Sequence, residues 1–151
     1  MSSPYKPDNE ERDEYFHGLS GSPKLVARTG HNRWTKPLFE SELGGTRKIA
    51  QYRKHYMALY DREILGKWST DLSMMIITTL DQCRWSYFLP VQTYMRDDHD
   101  NQKGKAATIL LVAVEPASLQ WEDGIKIALS CRDIIRKFEM FDIEVEIMEA
   151  R

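Results

Sequence analysis

Apolar and polar positions follow three rhythms in the last third of this chain. Ile109 to Val114 is an unbroken apolar run, the mark of a strand buried on both faces. Between Ser118 and Phe138 the spacing is helical: Ile127, Cys131, Ile134, Ile135 and Phe138 fall at i, i+4, i+7, i+8 and i+11. Ile143-Glu144-Val145-Glu146-Ile147 then alternates, as in a half-buried strand. Glu122 and Asp123 in the first turn of the helix, and Arg132, Arg136 and Lys137 toward its end, complement its dipole. The links on either side, Glu115-Pro116-Ala117 and Asp142, are short, which predicts a right-handed crossover joining two parallel strands. Ile143, Val145 and Ile147 should face the helices, and Glu144 and Glu146 water.

The rest of the chain is read with the same rules. Residues 1–14 are polar and acidic and read as a flexible tail. Lys24 to Arg28 fits a short strand, and residues 31–45 a loop. Thr46 fits a helix N-cap, with Ile49, Tyr52, Tyr56, Leu59 and Tyr60 on one helical face and Gly66 as the stop. Leu72 to Leu80, rich in Met, Ile and Thr, reads as a strand. Asp81-Gln82 would turn it into a hairpin with Trp85 to Met95, where Pro90 argues for an edge or a bulge. Asp97 to Lys105 reads as a polar loop. The expectation is an α+β fold: residues 15–151 form one domain with a small mixed sheet of three to five strands. Two helices pack on one face of it, with a C-terminal βαβ unit, in an arrangement related to ferredoxin-like folds.

Composition adds bounds rather than a function. The chain has 151 residues, 42% apolar and 11% aromatic, and a formal charge of -2, so no global charge draws it to nucleic acid or anionic membrane. Charge is uneven, however: residues 24–67 hold ten bases and four acids, and residues 115–151 nine acids and five bases. No leader-like segment opens the sequence, and no apolar run approaches a membrane span. With two cysteines, Cys83 and Cys131, and no CxxC pair, the reading is a reducing compartment, cytoplasmic with the nucleus as alternative, and free thiols.

Candidate chemistry is sparse. Glu115 ends the buried strand and Asp123 lies in the first turn beyond it, where ligands of α/β sheets often bind. Such a pair could do acid–base work, although a Pro turn and a helix N-terminus also explain it. Trp121, off the apolar stripe, is a candidate partner anchor. Arg28, His31, Arg33 and Trp34 are the N-terminal residues to be brought near. Gly44-Gly45 before two cations lacks the P-loop spacing. Arg47, Lys48, Arg53, Lys54 and Arg62 would form a basic stripe on the first helix, able to meet nucleic acid or an acidic partner. The four histidines show no zinc spacing, Asp97-Asp98-His99-Asp100 lacks the calcium-loop pattern, and no metal or cofactor is called for.

Two segments carry a resemblance. Tyr15-Phe16-His17-Gly18-Leu19 with Pro23 to Gly30 and Trp34, and Glu115 to Gly124 with Asp142 to Ile147, resemble a group of small uncharacterised proteins predicted from fungal genomes. The resemblance covers about a third of the chain. It implies a fungal-type, intracellular protein in which the two segments pack on each other, and it brings no activity or ligand.

Three functions follow in order of preference. The first is a non-enzymatic protein-interaction module, self-associating or docking a protein partner. The second is a small-molecule binder or enzyme with its site at the end of the 106–114 strand. The third, not favoured, is nucleic-acid binding through the basic helix.

Overall fold

The computed structural model describes residues 3–150, apart from the side chains of Leu43 and Arg62. In chain order they form α1 (Asn9–Glu14), β1 (Lys24–Arg28), β2 (Leu38–Leu43), β3 (Thr46–Gln51), β4 (Arg53–Ala58), α2 (Arg62–Lys67), α3 (Thr70–Leu80), β5 (Trp85–Arg96), β6 (Gln102–Val114), α4 (Trp121–Lys137) and β7 (Glu144–Glu149). Five strands make one sheet in the order β1-β7-β6-β5-β4, and β2 and β3 form a separate ribbon. β6 and β7 are parallel and every other pairing is antiparallel. The fold is therefore α+β with a mixed sheet, and α4 is the crossover of a βαβ unit. The element order β4-α3-β5-β6-α4-β7 is that of a ferredoxin-like unit, but these strands lie side by side in chain order rather than interleaved.

The apolar run of β6 is buried on both faces because each face has its own cover. Leu110, Val112 and Val114 join Val145 and Ile147 under α3 and α4, where Leu72, Ile76, Leu80, Ile127, Cys131 and Ile135 meet them. Ile109, Leu111 and Ala113 point the other way, with Leu25, Val91 and Met148. Their cover has no regular structure: residues 15–23 cross this face as a strap, with Phe16 fully buried in its middle. The strap reaches the far edge of the sheet, where the Lys54 N–H donates to the His17 carbonyl at 2.6 Å. Gly18 adopts φ +103° there, and a Cβ would lie 2.7 Å from Arg53 Cβ, so only glycine passes.

Several expectations are corrected. Residues 46–65 are not one helix. Gly44 (φ +65°) and Gly45 (φ +76°) make a two-residue hairpin turn of the type that demands positive φ twice, and it joins β2 to β3. The chain then continues as edge strand β4, and only residues 62–67 are helical. Leu72 to Leu80 lies within α3, not in a strand. Ser69 caps it, accepting from the Leu72 N–H at 3.2 Å, and Leu72, Ile76 and Leu80 repeat at i, i+4 and i+8 toward the core. The hairpin of β5 is made with β6, which takes up part of the expected polar loop. Pro90 falls one residue past the last β4 pair, at Val91, so it removes nothing from that ladder. Residues 9–14 form α1, capped by Asp8 and packed on β1, rather than a tail. The two segments that share the resemblance do pack on each other, as β1 against β7.

Candidate functional site

The strap face collects charged residues that the periodicity assigned to water. β7 presents Glu146 to this face beside β1, α1 presents Glu11, β1 ends in Arg28, and β4 contributes Lys54; all four are buried. Arg28 Nε donates to Glu11 Oε2 at 3.0 Å, and its terminal nitrogens reach the Gly30 and Asn32 carbonyls and the Tyr5 hydroxyl. Burial opposes the Arg28 charge, yet Tyr15 and Glu11 outweigh it and raise the pKa. Tyr15 stands at the centre. Its hydroxyl donates to Glu146 Oε2, and Lys54 Nζ lies 3.4 Å from its ring centroid, a cation–π contact. Burial first, and the Glu146 charge second, push the Tyr15 phenol well above its ordinary pKa. Burial lowers the Lys54 ammonium despite the attraction of Glu146.

Two charges of each sign are thus held in one low-dielectric cluster. Removing one would leave another uncompensated, which is why such clusters are costly to break. The cluster also has an open valence. Glu146 is only 7% exposed, and its second oxygen, Oε1, is buried without a hydrogen-bond partner among the described residues. The residue Glu146 borders a cavity of about 390 Å³ at the start of the buried part of β6, walled by Tyr15, Lys54, Met95, Ala107, Ile109 and Glu144, among others. Glu144 is held in turn by the Thr29 hydroxyl and by Arg132 at 3.5 Å. A volume of this order suits a small organic molecule.

The residues singled out from the sequence disperse around this site. Arg28 belongs to it. Arg33 lies 4.5 Å over the ring of Tyr5, and the Trp34 N–H donates to the Tyr5 hydroxyl at 2.7 Å; His31 is exposed. Lys6, the next residue after Tyr5, pairs with Glu122 at 3.0 Å, so the N-terminal segment does link Arg28 and Trp34 to the start of α4. Trp121 packs on the helix-face core with its indole N–H buried and unpartnered among the described residues. Glu115 is exposed and accepts from Arg84 at 3.4 Å. Asp123 borders a separate groove of about 610 Å³ with Asp81, Cys83, Arg84 and Lys126. Arg28 and Glu115 do not meet in one pocket. In register, Lys24 lies level with Glu149 and Val114, whereas Arg28 lies level with Glu146 and Leu111, so β1 carries Arg28 away from Glu115.

The basic stripe dissolves with the helix that was to carry it. Strand alternation sends Lys54 under the strap and Arg53 outward, where it bonds the Asp97 carbonyl. Arg47 and Lys48 are exposed on the ribbon, and the Arg62 side chain lies outside the described residues. Sequence reasoning missed Glu11, Tyr15, Lys54 as a buried group, and Glu146. The one available signal was that Glu146 sits inside a strand next to a strand buried on both faces. Among the described residues no three His, Cys, Asp or Glu side chains are grouped to hold a metal, and no helix is long and apolar enough to cross a membrane. No protein-family model, no curated protein and no solved structure matches this chain.

Proposed function

We propose that this protein binds a small molecule, and that its site is the cavity between the strap and the β5–β6 hairpin. One observation carries the reading: Glu146, whose buried Oε1 has no donor among the described residues, is one of the residues that wall the cavity. Buried acceptors are nearly always satisfied, and leaving one bare costs about 1–3 kcal/mol, more when it is charged. A ligand with an N–H or O–H donor would recover that cost once the carboxyl turns toward the cavity. The site lies at the start of the buried stretch of β6, opposite the end to which Glu115 pointed. Without a recognisable nucleophile–base pair, binding rather than turnover is the economical reading.

The test is a titration with 3-methylbutylamine, followed by amide chemical shifts of the full chain. Shifts should cluster at Gly30, Tyr94, Ala107 to Ile109 and Glu144 to Glu146, and Glu146→Gln should weaken binding about tenfold, the worth of one charge-assisted hydrogen bond. No shifts in that cluster, or an unchanged affinity in the variant, would overturn the proposal.

A second reading, a protein-interaction module that pairs with a second copy of itself, is supported by the ribbon. Ile49 is 71% and Leu38 48% exposed on its outer face, beside Glu42 and Arg47, an arrangement that suits a twofold contact. Light scattering should give a dimer that Ile49→Lys turns into a monomer; a monomeric parent chain rejects it.

A further inference from the structure

β4 is the outermost strand beyond β5, and its open edge is only half covered. The cover begins at Lys54, whose N–H donates to the His17 carbonyl of the strap at 2.6 Å. In an antiparallel ladder, residues bonded to the neighbouring strand alternate with residues whose backbone groups point away from it. Lys54 points away from β5, so Tyr56 and Ala58 do the same. Among the described residues, no group bonds the Tyr56 N–H, the Tyr56 carbonyl or the Ala58 N–H on that edge. Proteins guard open edges with charge, proline or a bulge. Tyr56-Met57-Ala58 carries none of these and pairs with β5 in unbroken register. All three residues are exposed, Tyr56 by 44% and Met57 by 38%. Beside this edge, on the strap side of the sheet, lies another cavity of about 390 Å³, lined by Leu19, Pro23, Tyr56, Tyr87, Pro116 and Met148, among others. Tyr56 belongs to both features: its backbone groups lie on the open edge, and the residue lines the cavity.

We infer that this edge takes up an extended peptide of another protein as a sixth strand, antiparallel to β4, with an apolar side chain opposite Tyr56 seated in the cavity. In strand addition, main-chain hydrogen bonds supply affinity and a side-chain pocket supplies selectivity. The strap is a precedent within the chain, since its His17 carbonyl already bonds this edge. The strap also argues against a second copy of β4 as the occupant. Whether its axis passed Tyr56 or Met57, a twofold pair would run Ala58 or Tyr60 of one chain onto Lys54 of the other. That position is taken: the Lys54 N–H is bonded, and a Cβ on Gly18 would lie 3.0 Å from the Lys54 nitrogen. Leu59 is buried and holds the chain beyond Ala58 in place, whereas the ends of a free peptide can turn aside. This inference is independent of the Glu146 cavity.

The experiment adds the short probe acetyl-Lys-Thr-Leu-Thr-Glu-amide to the full chain and follows amide shifts and hydrogen exchange. At saturation, exchange should slow at Tyr56 and Ala58. Opposite Tyr56, the leucine N–H of the probe faces β4 and that of the next threonine faces away. N-methylating the leucine should therefore weaken binding at least about tenfold, and N-methylating that threonine by no more than about twofold. Serine in place of the leucine should cost about tenfold, and Tyr87→Ala should narrow that preference. Ala58→Pro removes one edge donor, spares the ladder, and should weaken binding about fivefold. Equal effects of the two methylations, or unchanged exchange at Tyr56 and Ala58, would overturn strand addition; both are measured on the unaltered chain. Equal binding of the leucine and serine probes would overturn the seat in the cavity. A parent dimer that Ala58→Pro dissociates would overturn the free peptide in favour of self-pairing.

Discussion

On one face the sheet is covered by α3 and α4 through Leu72, Ile76, Ile127, Cys131 and Ile135, all apolar and tightly interdigitated. On the other it is covered by an irregular strap that buries Phe16 but also Glu11, Arg28, Lys54 and Glu146. The first cover is non-directional: any well-packed set of similar volume would serve. The second is directional, because each charge needs its own partner and the strap runs where those partners are. Stability should therefore concentrate on the helix face and specificity on the strap face.

Substitutions on the two faces can break this contrast. The largest effect is expected from Ile135→Ala on the helix face, about 3–4 kcal/mol in urea denaturation, since the side chain is fully buried. Ligand affinity should not change. Glu11→Ala should cost less, about 2–3 kcal/mol, because Arg28 loses its carboxylate but keeps its carbonyl partners. Hydrogen exchange should speed up in residues 9–19 and leave α4 untouched; uniform acceleration would mean the faces are not separate. Tyr15→Phe removes the one donor to Glu146 Oε2 among the described residues and should cost about 1–2 kcal/mol, with a larger proportional loss in ligand binding.

Alkaline titration sharpens the contrast further. The folded pKa of Lys54 is lowered, so below about pH 10 its unfolded form holds the proton more tightly and stability contributed through this group rises as pH climbs toward 10.5. Tyr15, raised by burial, and Cys131, raised to about 12 by burial, act in the opposite sense once their unfolded forms begin to ionise, near pH 9 to 10. As pH climbs toward 10.5, the stability of Lys54→Met should change less favourably with pH than that of the parent chain; equal slopes would refute the lowered ammonium pKa. The smallest effect is reserved for Glu115→Ala. Its contact with Arg84 is solvent-exposed, and melting should shift by no more than the equivalent of about 0.5 kcal/mol.

The two faces also differ in how far they could be read from the residues. The helix face was legible because Ile109 to Val114 and the α4 stripe repeat with a single period over many residues. α3 is hard to read because Ile and Thr favour strands in isolation, whereas its Met and Leu residues, the i, i+4, i+8 spacing of its core residues and the Ser69 cap are the stronger signals. In residues 46–60 the tyrosines fit a helical face by coincidence, and the diglycine, which is a hairpin signal, fits a loop before a helix equally well. The strap face was illegible for a different reason. Nothing in the local pattern around Glu11, Lys54 or Glu146 distinguishes a solvated charge from a paired one. Their burial is decided by a crossing of residues 15–19 over strands distant in sequence.

The place of β7 in the sheet has one more consequence. It is the last strand in chain order, yet it lies between β1 and β6 and is bonded to both. During synthesis β1 has no neighbour to pair with until nearly every other element has been made, and Tyr15 of the strap and Arg12 of α1 have no carboxylates of β7 to meet. The nascent chain can assemble α3, β5 and β6 before β7 is made, but β1 and the strap must wait for β7, so the cavity they help to wall closes late in folding.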